Sequence, residues 1–388
     1  MKKNISFLVF IFFLISLGLI GFSCAIPEVS DEPSDNSSIT TSTVSLVKEV
    51  AVTPDDLYSY GAFCRVNYLP KTDQFFVTFG GANQNVQQKN SLNNSIPVGG
   101  AEGGNGYSYK IYSEDFVETG KNGIIHNGGG DAASVLVGDF YYFLAGGSLG
   151  WMIEKIDTKT WKVVEKVDIA TEVGRELLND QMLAYANGHL VASGLYDKNQ
   201  GSGGDQRRSD PTKGYATHNR VLSAELDQLD YFILDDTPHI NASSLLFIDG
   251  VYHYITSSAY FGDLIVMKYD EDWNYLSVKK LEDGGQWPQG AVYDSKEEKF
   301  YVAFIDLDLT KENPASGPTN IALGIFDKDW ELLEKIIVTD LSENESGGRP
   351  WVILQDDRLY VSYDVSTRQA NGEENKDWQC LVNIYEMP

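Results

Sequence analysis

The sequence predicts an all-β fold, because one pattern of paired strands recurs six times along the chain. Each copy runs from a polar or small-residue stretch into an apolar strand, turns on Asp, Asn or Gly, and returns as an aromatic strand. The copies lie at residues 63–79, 131–143, 180–193, 241–255, 289–304 and 349–363. After most of them comes a second pair of strands, joined by an acidic turn that contains an aromatic residue. Two hairpins per repeat form a four-stranded sheet, and about six such sheets around an axis form a β-propeller.

The last repeat supplies only three strands before the chain ends. Residues 44–52 (VSLVKEVAV) have the character of the fourth strands in the other repeats. We therefore expect this N-terminal segment to complete the last sheet, which also covers an open sheet edge. An irregular first or last repeat would make five or seven blades instead of six.

The segment before the repeats has the pattern of an export signal. Lys2 and Lys3 precede an almost wholly apolar stretch at residues 5–22, and small residues surround Cys24. Residues 1–25 are interpreted as a cleaved signal peptide or as a lipoprotein signal that makes Cys24 the lipidated first residue. An uncleaved membrane anchor is a third alternative.

The remaining chain divides into a tether and one folded domain. Residues 26–43 are rich in Pro, Ser, Thr and acids, so we expect a disordered tether, followed by the β-propeller domain at residues 44–388. We expect a protein outside the cytoplasm, secreted or lipid-anchored at the cell surface. It would contact a membrane only through its N-terminal anchor.

Charge restricts the class of partner. The chain has 30 basic and 56 acidic residues, a net charge of −26. This field repels nucleic-acid phosphates and anionic membrane surfaces, and the sequence contains no basic patch with interleaved aromatics. We therefore expect a monomer that binds a polysaccharide or an extracellular protein and does not bind nucleic acid.

Two cysteines are candidates for a disulfide. Cys64 lies in the first repeat and Cys380 in the last, so a bond between them would lock the closure of the ring. However, Cys64 would open an innermost strand whereas Cys380 would lie on a third strand. Two buried free thiols are therefore the alternative.

One face of the propeller is predicted to carry the function. The long insertions fall at the turn between the second and third strands of a repeat, at residues 80–106, 194–219, 306–319 and 364–377. The opposite face has only tight acidic hairpins. Binding residues concentrate on long loops held by a rigid scaffold, so we expect the ligand on the insertion side.

The innermost strands also begin on that side. Alignment of the repeats places six polar residues at about one level: Arg65, Asp131, Asp180, Asn241, Gln289 and Arg349. Three further residues flank them: His239, Trp287 and Trp351. Carboxylates, guanidinium groups, amides and indoles that converge on a central depression predict a ligand site.

The charged members of this set have two interpretations each. Asp131 and Asp180 would act as the acid and base of a glycosidase if their carboxylates face each other, or else they brace strand entrances through backbone amides. Arg65 and Arg349 would clamp a ligand carboxylate, or else they neutralise the two aspartates.

The aromatic members offer flat faces to a sugar ring. Trp287 and Trp351 would stack on carbohydrate, although aromatic residues are also the ordinary packing between blades. Trp287 is the most site-like because Gln289 and other polar residues lie beside it.

No cofactor and no metal site are expected. The Asp-x-Asp-Trp turns at residues 270–273 and 327–330 could hold calcium through oxygen ligands, but neither matches the twelve-residue calcium loop. The five histidines show no paired zinc spacing.

At the level of architecture, the repeats resemble β-propellers over nearly the whole mature chain. The chain differs from sialidases, because it lacks the repeated Ser-x-Asp-x-Gly-x-x-Trp hairpin motif. Arabinanase-like glycosidases have three acids on their inner strands. Asp131 and Asp180 would match only two of these, so the acid triad is incomplete. We therefore expect non-catalytic binding of a carbohydrate or protein partner through the loop face. The alternative is a glycan-active hydrolase or lyase that uses Asp131 and Asp180 as its acid and base.

Overall fold

The computed structural model describes residues 44–53, 63–80, 106–127, 132–145, 152–169, 176–197, 215–234, 243–258, 262–311, 318–368 and 374–387. These ranges form β-strands joined by turns. The strands are β1 (Ser45–Ala51), β2 (Arg65–Leu69), β3 (Gln74–Gly80), β4 (Gly106–Tyr112), β5 (Glu118–Asn127), β6 (Ala132–Val137), β7 (Phe140–Ala145), β8 (Met152–Asp157), β9 (Lys162–Asp168), β10 (Glu176–Ala186), β11 (His189–Asp197), β12 (Tyr215–Leu222), β13 (Gln228–Leu234), β14 (Ser244–Ile248), β15 (Val251–Ser257), β16 (Leu264–Tyr269), β17 (Tyr275–Glu282), β18 (Gly285–Asp294), β19 (Lys299–Asp306), β20 (Asn320–Asp327), β21 (Leu332–Ile337), β22 (Glu345–Gln355), β23 (Arg358–Arg368) and β24 (Glu374–Glu386).

The strands form six four-stranded antiparallel sheets, which confirms a six-bladed β-propeller. Blades 1 to 5 are β2–β5, β6–β9, β10–β13, β14–β17 and β18–β21, each in chain order. Blade 6 has the order β22-β23-β24-β1, so the N-terminal strand closes the ring as predicted. Its ladder runs from Ser45 opposite Glu386 to Ala51 opposite Leu381.

The first strand of each blade lies nearest the axis. Contacts join β6 to β10, β10 to β14, β14 to β18, β18 to β22 and β2 to β22. Antiparallel pairing then places the start of every first strand, and the turns between second and third strands, on one side of the ring. We call this side the loop face and the other side the hairpin face.

The hydrophobic core lies between neighbouring blades. The second strands are buried on both sides, as in β19, where Tyr301, Val302 and Phe304 are all buried. The fourth strands form the rim and are largely exposed, as in β17. Because a middle strand is covered by sheets on both sides, its sequence is a continuous apolar run rather than an alternating one.

The turns between third and fourth strands share one feature, a left-handed residue at their end. In blades 1 to 5 the last turn residue has a left-handed backbone with φ between 53° and 64°: Phe116, Trp161, Leu226, Trp273 and Trp330. A type I turn followed by a left-handed residue is a common hairpin connection. These side chains, four of them aromatic, then pack against the core. Trp330 is fully buried, and its Nε1 donates to Nδ1 of His253 in blade 4 at 2.9 Å.

A disulfide joins Cys64 and Cys380, with their Cα atoms 5.4 Å apart. The bond links the start of blade 1 to the third strand of blade 6. Beside it, the Cys380 carbonyl accepts from the Val52 amide at 2.8 Å, and Thr53 Oγ1 accepts from the Cys380 amide at 2.8 Å. Sequence analysis had left the bonded and the free thiols open; the structure has the bonded form.

Two of the predicted insertions are shorter than expected. Residues 194–219 and 364–377 were interpreted as loops, but β11 continues to Asp197 and β23 continues to Arg368. The reason is that polar or small residues such as Gly194 and Asp364 still pair in the ladder, opposite His218 and Cys380.

The predicted signal at residues 1–25, with Cys24, and the predicted tether at residues 26–43 lie outside the described residues, so export and lipidation stay predictions. In the described part of the chain, no helix is long and apolar enough to cross a membrane.

Candidate ligand site at the loop-face end of the axis

The inner strands β18 and β22 are each interrupted by a bulge near their start. Pairing with the second strand shifts between Gln286 and Gly290 in β18 and between Gly348 and Trp351 in β22. A bulge contains residues without a ladder partner and re-aims their side chains. The residues inside these two bulges include the aromatic and cationic side chains that the sequence singled out.

Three residues at the entrances of inner strands have a left-handed backbone: Phe63 with φ 59°, Trp287 with φ 52° and Arg349 with φ 48°. Their side chains meet. The guanidinium carbon of Arg349 lies 4.3 Å from the ring centre of Phe63 and 5.3 Å from that of Trp287. We call these three residues the Arg349 cluster. Since a left-handed non-glycine residue costs on the order of 1–3 kcal/mol, three of them in contact indicate a conformation that the surrounding structure enforces.

Asp364 contacts two members of the Arg349 cluster. This fully buried carboxylate accepts from the Phe63 amide at 2.8 Å, and its Oδ2 lies 3.5 Å from Nη1 of Arg349. The contact ties blade 6 to blade 1. Sequence analysis missed both Asp364, which it assigned to a loop, and Phe63, which looks like core. The apolar–polar alternation from Val361 through Asp364 was the available signal for a strand.

A second layer lies two residues further along the same three strands. Arg65 is 4% exposed, and its Nη2 donates to Oε1 of Gln289 at 3.1 Å. Its guanidinium carbon is 4.6 Å from the ring centre of Trp351, whose Nε1 donates to the Val66 carbonyl at 3.1 Å. Burial lowers the pKa of Arg65 from its ordinary value. These contacts favour a bracing role for Arg65.

A small cavity marks this second layer on the axis. All six blades line it, through Arg65, Ala133, Gln181, Met182, Leu183, Ser243, Gln289 and Trp351. The volume of this cavity is about 10 Å³, which is enough for about one water molecule. A ligand on the loop face therefore meets the Arg349 cluster before this plug of side chains.

The cavity also corrects the alignment of the repeats. Sequence analysis placed Arg349 at the level of Arg65 and Gln289. In the structure Trp351 lines the cavity with those two residues, whereas Arg349 lies in the layer of Trp287. The bulge in β22 shifts the register, and a count from the hairpin turn does not reveal it.

The structure brings together five of the predicted site residues: Arg65, Trp287, Gln289, Arg349 and Trp351. Three others, Asp131, His239 and Asn241, lie outside the described residues. Asp180 belongs to β10, but its side chain is not among those described. The predicted acid–base pair is therefore not placed.

The acidic turns on the hairpin face use their carboxylates as caps. Oδ1 of Asp270 accepts from the backbone amides of Asp272 and Asn274, at 3.0 and 2.8 Å. Oδ1 of Asp327 accepts in the same way from the amides two and four residues later, at 2.9 and 2.8 Å. Hairpin geometry therefore accounts for these residues, and the described ranges contain no group of three His, Cys, Asp or Glu side chains suited to a metal ion.

No protein-family model matches the chain, and no curated protein matches it either. Among solved structures, it is similar to a subtype N11 neuraminidase-like protein of a flat-faced bat isolate from Peru, with 10% identity, coverage of 88% of this chain and 94% of that chain, and a TM-score of 0.49. It is also similar to the parainfluenza virus 5 hemagglutinin-neuraminidase ectodomain, with 9% identity, coverage of 89% and 84%, and a TM-score of 0.49. A xylan β-1,4-xylosidase from Bacillus halodurans matches at 14% identity, with coverage of 65% and 52% and a TM-score of 0.45. At these values the propeller assignment rests on the strand pairings described above.

Proposed function

We propose that this protein is an exported or surface-anchored β-propeller that binds a carbohydrate through its loop face without catalysis. Arg349 and Trp287 would contact the ligand. The observation that carries this proposal is the Arg349 cluster at the loop-face end of the axis. The other left-handed non-glycine residues of the described ranges lie in hairpin turns, whereas these three lie at strand entrances, and such strain is concentrated at functional sites.

The chemistry of the cluster suits a sugar. The side chain of Arg349 is 14% exposed, and a guanidinium group offers several N–H donors in a fixed plane to hydroxyl or carboxylate oxygens. Trp287 is partly exposed, and a flat indole can pack against the apolar face of a sugar ring. Asp364 holds the guanidinium in place, so little side-chain entropy is lost on binding.

Catalysis would need the carboxylates of Asp131 and Asp180, on adjacent blades, to lie within glycosidase distance of each other. We propose binding without catalysis because the contacts that carry the proposal belong to Arg349 and Trp287, which are groups that bind a ligand and do not form an acid–base pair. The two alternatives differ in one observable, the cleavage of the polymer.

The test uses the full chain and a panel of neutral and acidic polysaccharides. Retention of polymer and release of new reducing or unsaturated ends are read together. We expect retention without new ends, and a loss of affinity of tenfold or more in Trp287→Ala and in Arg349→Lys, which keeps the charge but loses the planar fork. Tyr275→Ala is the matched control, because this exposed aromatic lies on the rim.

Two outcomes would contradict the proposal. Cleavage that disappears in Asp131→Asn or Asp180→Asn would identify a hydrolase or lyase. Failure to retain any polymer would argue against a carbohydrate ligand and in favour of a protein partner on the loop face.

A further inference from the structure

A groove lies between blades 1 and 2 on the hairpin face, remote from the Arg349 cluster. Its volume is about 640 Å³, within the range of about 300–1,000 Å³ that is typical of small-molecule sites. The turns β2–β3, β6–β7 and β8–β9 form its walls, together with parts of β4 and β5. We call it the blade 1–2 groove.

The charge of this groove is opposite to that of the chain. Lys71, Lys121 and Lys159 line it, and Asp139 is its one acidic lining residue. The whole chain has 56 acidic and 30 basic residues, so charged lining residues that comprise three lysines and one aspartate depart from the composition. The neighbouring carboxylate of Asp157 accepts from the Lys159 amide at 2.8 Å.

Asp139 holds two of the lysines together. Its Oδ2 lies 2.5 Å from Nζ of Lys71 and 3.2 Å from Nζ of Lys159, which come from different blades. Hydrogen bonds from Lys71 and then Lys159 lower the pKa of Asp139. The two lysine side chains are 67% and 66% exposed, so their other N–H donors are accessible from the groove. One carboxylate between two ammonium groups leaves a net positive charge.

The turn that carries Lys159 is fixed to its blade. The amide and Oγ1 of Thr158 both donate to the carbonyl of Asp139, at 3.0 and 2.8 Å. The amide of Trp161 donates to the carbonyl four residues earlier, whereas that of Trp330 in blade 5 reaches back only three residues. The additional residue in the blade 2 turn lengthens the segment that places Lys159 beside Asp139.

The floor of the groove is apolar. Trp161, which is partly exposed, stacks on Tyr109 with ring centres 3.8 Å apart and an interplanar angle of 14°. At Gly120 and Gly138, which have φ of 78° and 60°, a Cβ atom would meet nothing within 4 Å. The groove is therefore open at both glycines, and an aromatic floor lies beneath a rim of lysines.

We propose that the blade 1–2 groove binds an acidic oligosaccharide of the polyuronate class. One sugar carboxylate pairs with the ammonium groups of Lys71 and Lys159, a second carboxylate pairs with Lys121, and the sugar rings lie over Trp161. This site is separate from the loop face and does not depend on the function proposed for it. A protein with both sites would engage glycan on two opposite faces.

The test measures binding of tetragalacturonate to the full chain by calorimetry, with its fully methyl-esterified form as the neutral control. We expect binding of the acid form only, with affinity that falls as salt is added, because surface ion pairs are screened. The variant Lys71→Gln/Lys159→Gln should lose tenfold or more in affinity. Lys296→Gln is the matched control, because this lysine is 74% exposed at the β18–β19 turn of the same face and pairs with Asp357.

Trp287→Ala separates the two sites, since it should leave tetragalacturonate binding unchanged while it weakens the loop-face ligand. An unchanged thermal unfolding midpoint in the double lysine variant shows that the lost affinity is local. Absence of binding, equal binding of the methyl ester, or unaltered affinity in the double lysine variant would each overturn the proposal. Binding of a sulfated tetrasaccharide in place of the uronate would overturn the carboxylate assignment.

Discussion

At the residue scale, the sequence revealed part of the loop-face site and missed the rest for definable reasons. Trp287 and Arg349 stood out because they sit at strand entrances beside polar residues, and the structure places them in contact. Phe63 and Asp364 did not stand out, because an aromatic at a strand start looks like core and an aspartate at a strand end looks like a loop. Their roles depend on a left-handed backbone and on a contact between residues that are 301 positions apart in the sequence. A local sequence pattern reveals neither feature.

The Arg349–Asp364 pair gives a first prediction. Arg349→Ala should lower the free energy of unfolding by about 3 kcal/mol, because it removes the guanidinium group that lies 3.5 Å from the fully buried carboxylate of Asp364. Arg349→Ala combined with Asp364→Asn should recover part of the loss, since the buried carboxylate that Arg349 compensates is then removed as well. Urea unfolding of both variants measures this, and equal losses in the single and double variants would show that the ion pair is not the cause.

His253 gives a second prediction, which concerns pH. Burial, followed by the charge of Lys268, lowers the pKa of His253 from 6.5 to about 4, and its Nδ1 accepts from Trp330. The unfolded chain therefore takes up a proton before the folded chain does. The contribution to stability is intact above pH 6.5 and declines as pH falls toward 4, by about 2 kcal/mol at pH 5.

Comparison with His253→Gln isolates this effect, because glutamine does not titrate and retains an acceptor for Trp330. Urea unfolding at pH 7.5 and pH 5 should show a larger loss for the natural protein than for the variant. Identical pH dependence in both proteins would mean that His253 does not carry the effect.

At the scale of the element, alternation and turn residues predicted the strands well where pairing is regular. The second strands were recognisable as continuous aromatic runs such as β7 and β15. The inner strands were predicted to begin late in blades 3, 5 and 6, because bulges interrupt the ladder near their starts. Sequence periodicity assumes one residue opposite one residue, so it fails at a bulge, and in this fold bulges lie beside the site.

Gly290 tests how closely the inner strands approach. A Cβ atom there would lie 2.4 Å from the backbone nitrogen of Val352 and 2.7 Å from Cα of Trp351, across the contact between blades 5 and 6. Gly290→Ala should therefore cost about 1–3 kcal/mol or more through overpacking. Gly250→Ala is the control, because its Cβ would meet only the end of the Glu271 side chain, although its φ of 79° adds strain. Urea unfolding that ranks Gly250→Ala as the more destabilising change would contradict this account.

At the scale of the whole molecule, the ring and its closure could be predicted from the sequence because they depend only on the number of repeats and of strands in each repeat. Six copies of a repeat and one missing strand define the architecture whatever the detail of each blade, and β1 fills the missing place. The sequence did not decide whether the disulfide forms, because the predicted strands put Cys64 on an innermost strand and Cys380 on a third strand. The structure resolves this point, since the start of blade 1 lies against the third strand of blade 6 and both cysteines belong to one buried cluster with Val66 and Val382.

Ring closure gives the last prediction. The disulfide links residues 316 positions apart, so it restricts the unfolded chain strongly, and bonds of this kind typically contribute about 2–4 kcal/mol. Unfolding in urea with reductant should therefore occur at a lower urea concentration than unfolding without it. The double variant Cys64→Ala/Cys380→Ala should show no effect of reductant and should retain its β-sheet circular dichroism signal, because the β1–β24 ladder still joins the two ends of the chain. A midpoint in the natural protein that reductant does not move would mean that the ladder alone holds the ring closed. Loss of the sheet signal in the double variant would mean that the ladder cannot hold the ring closed without the covalent bond.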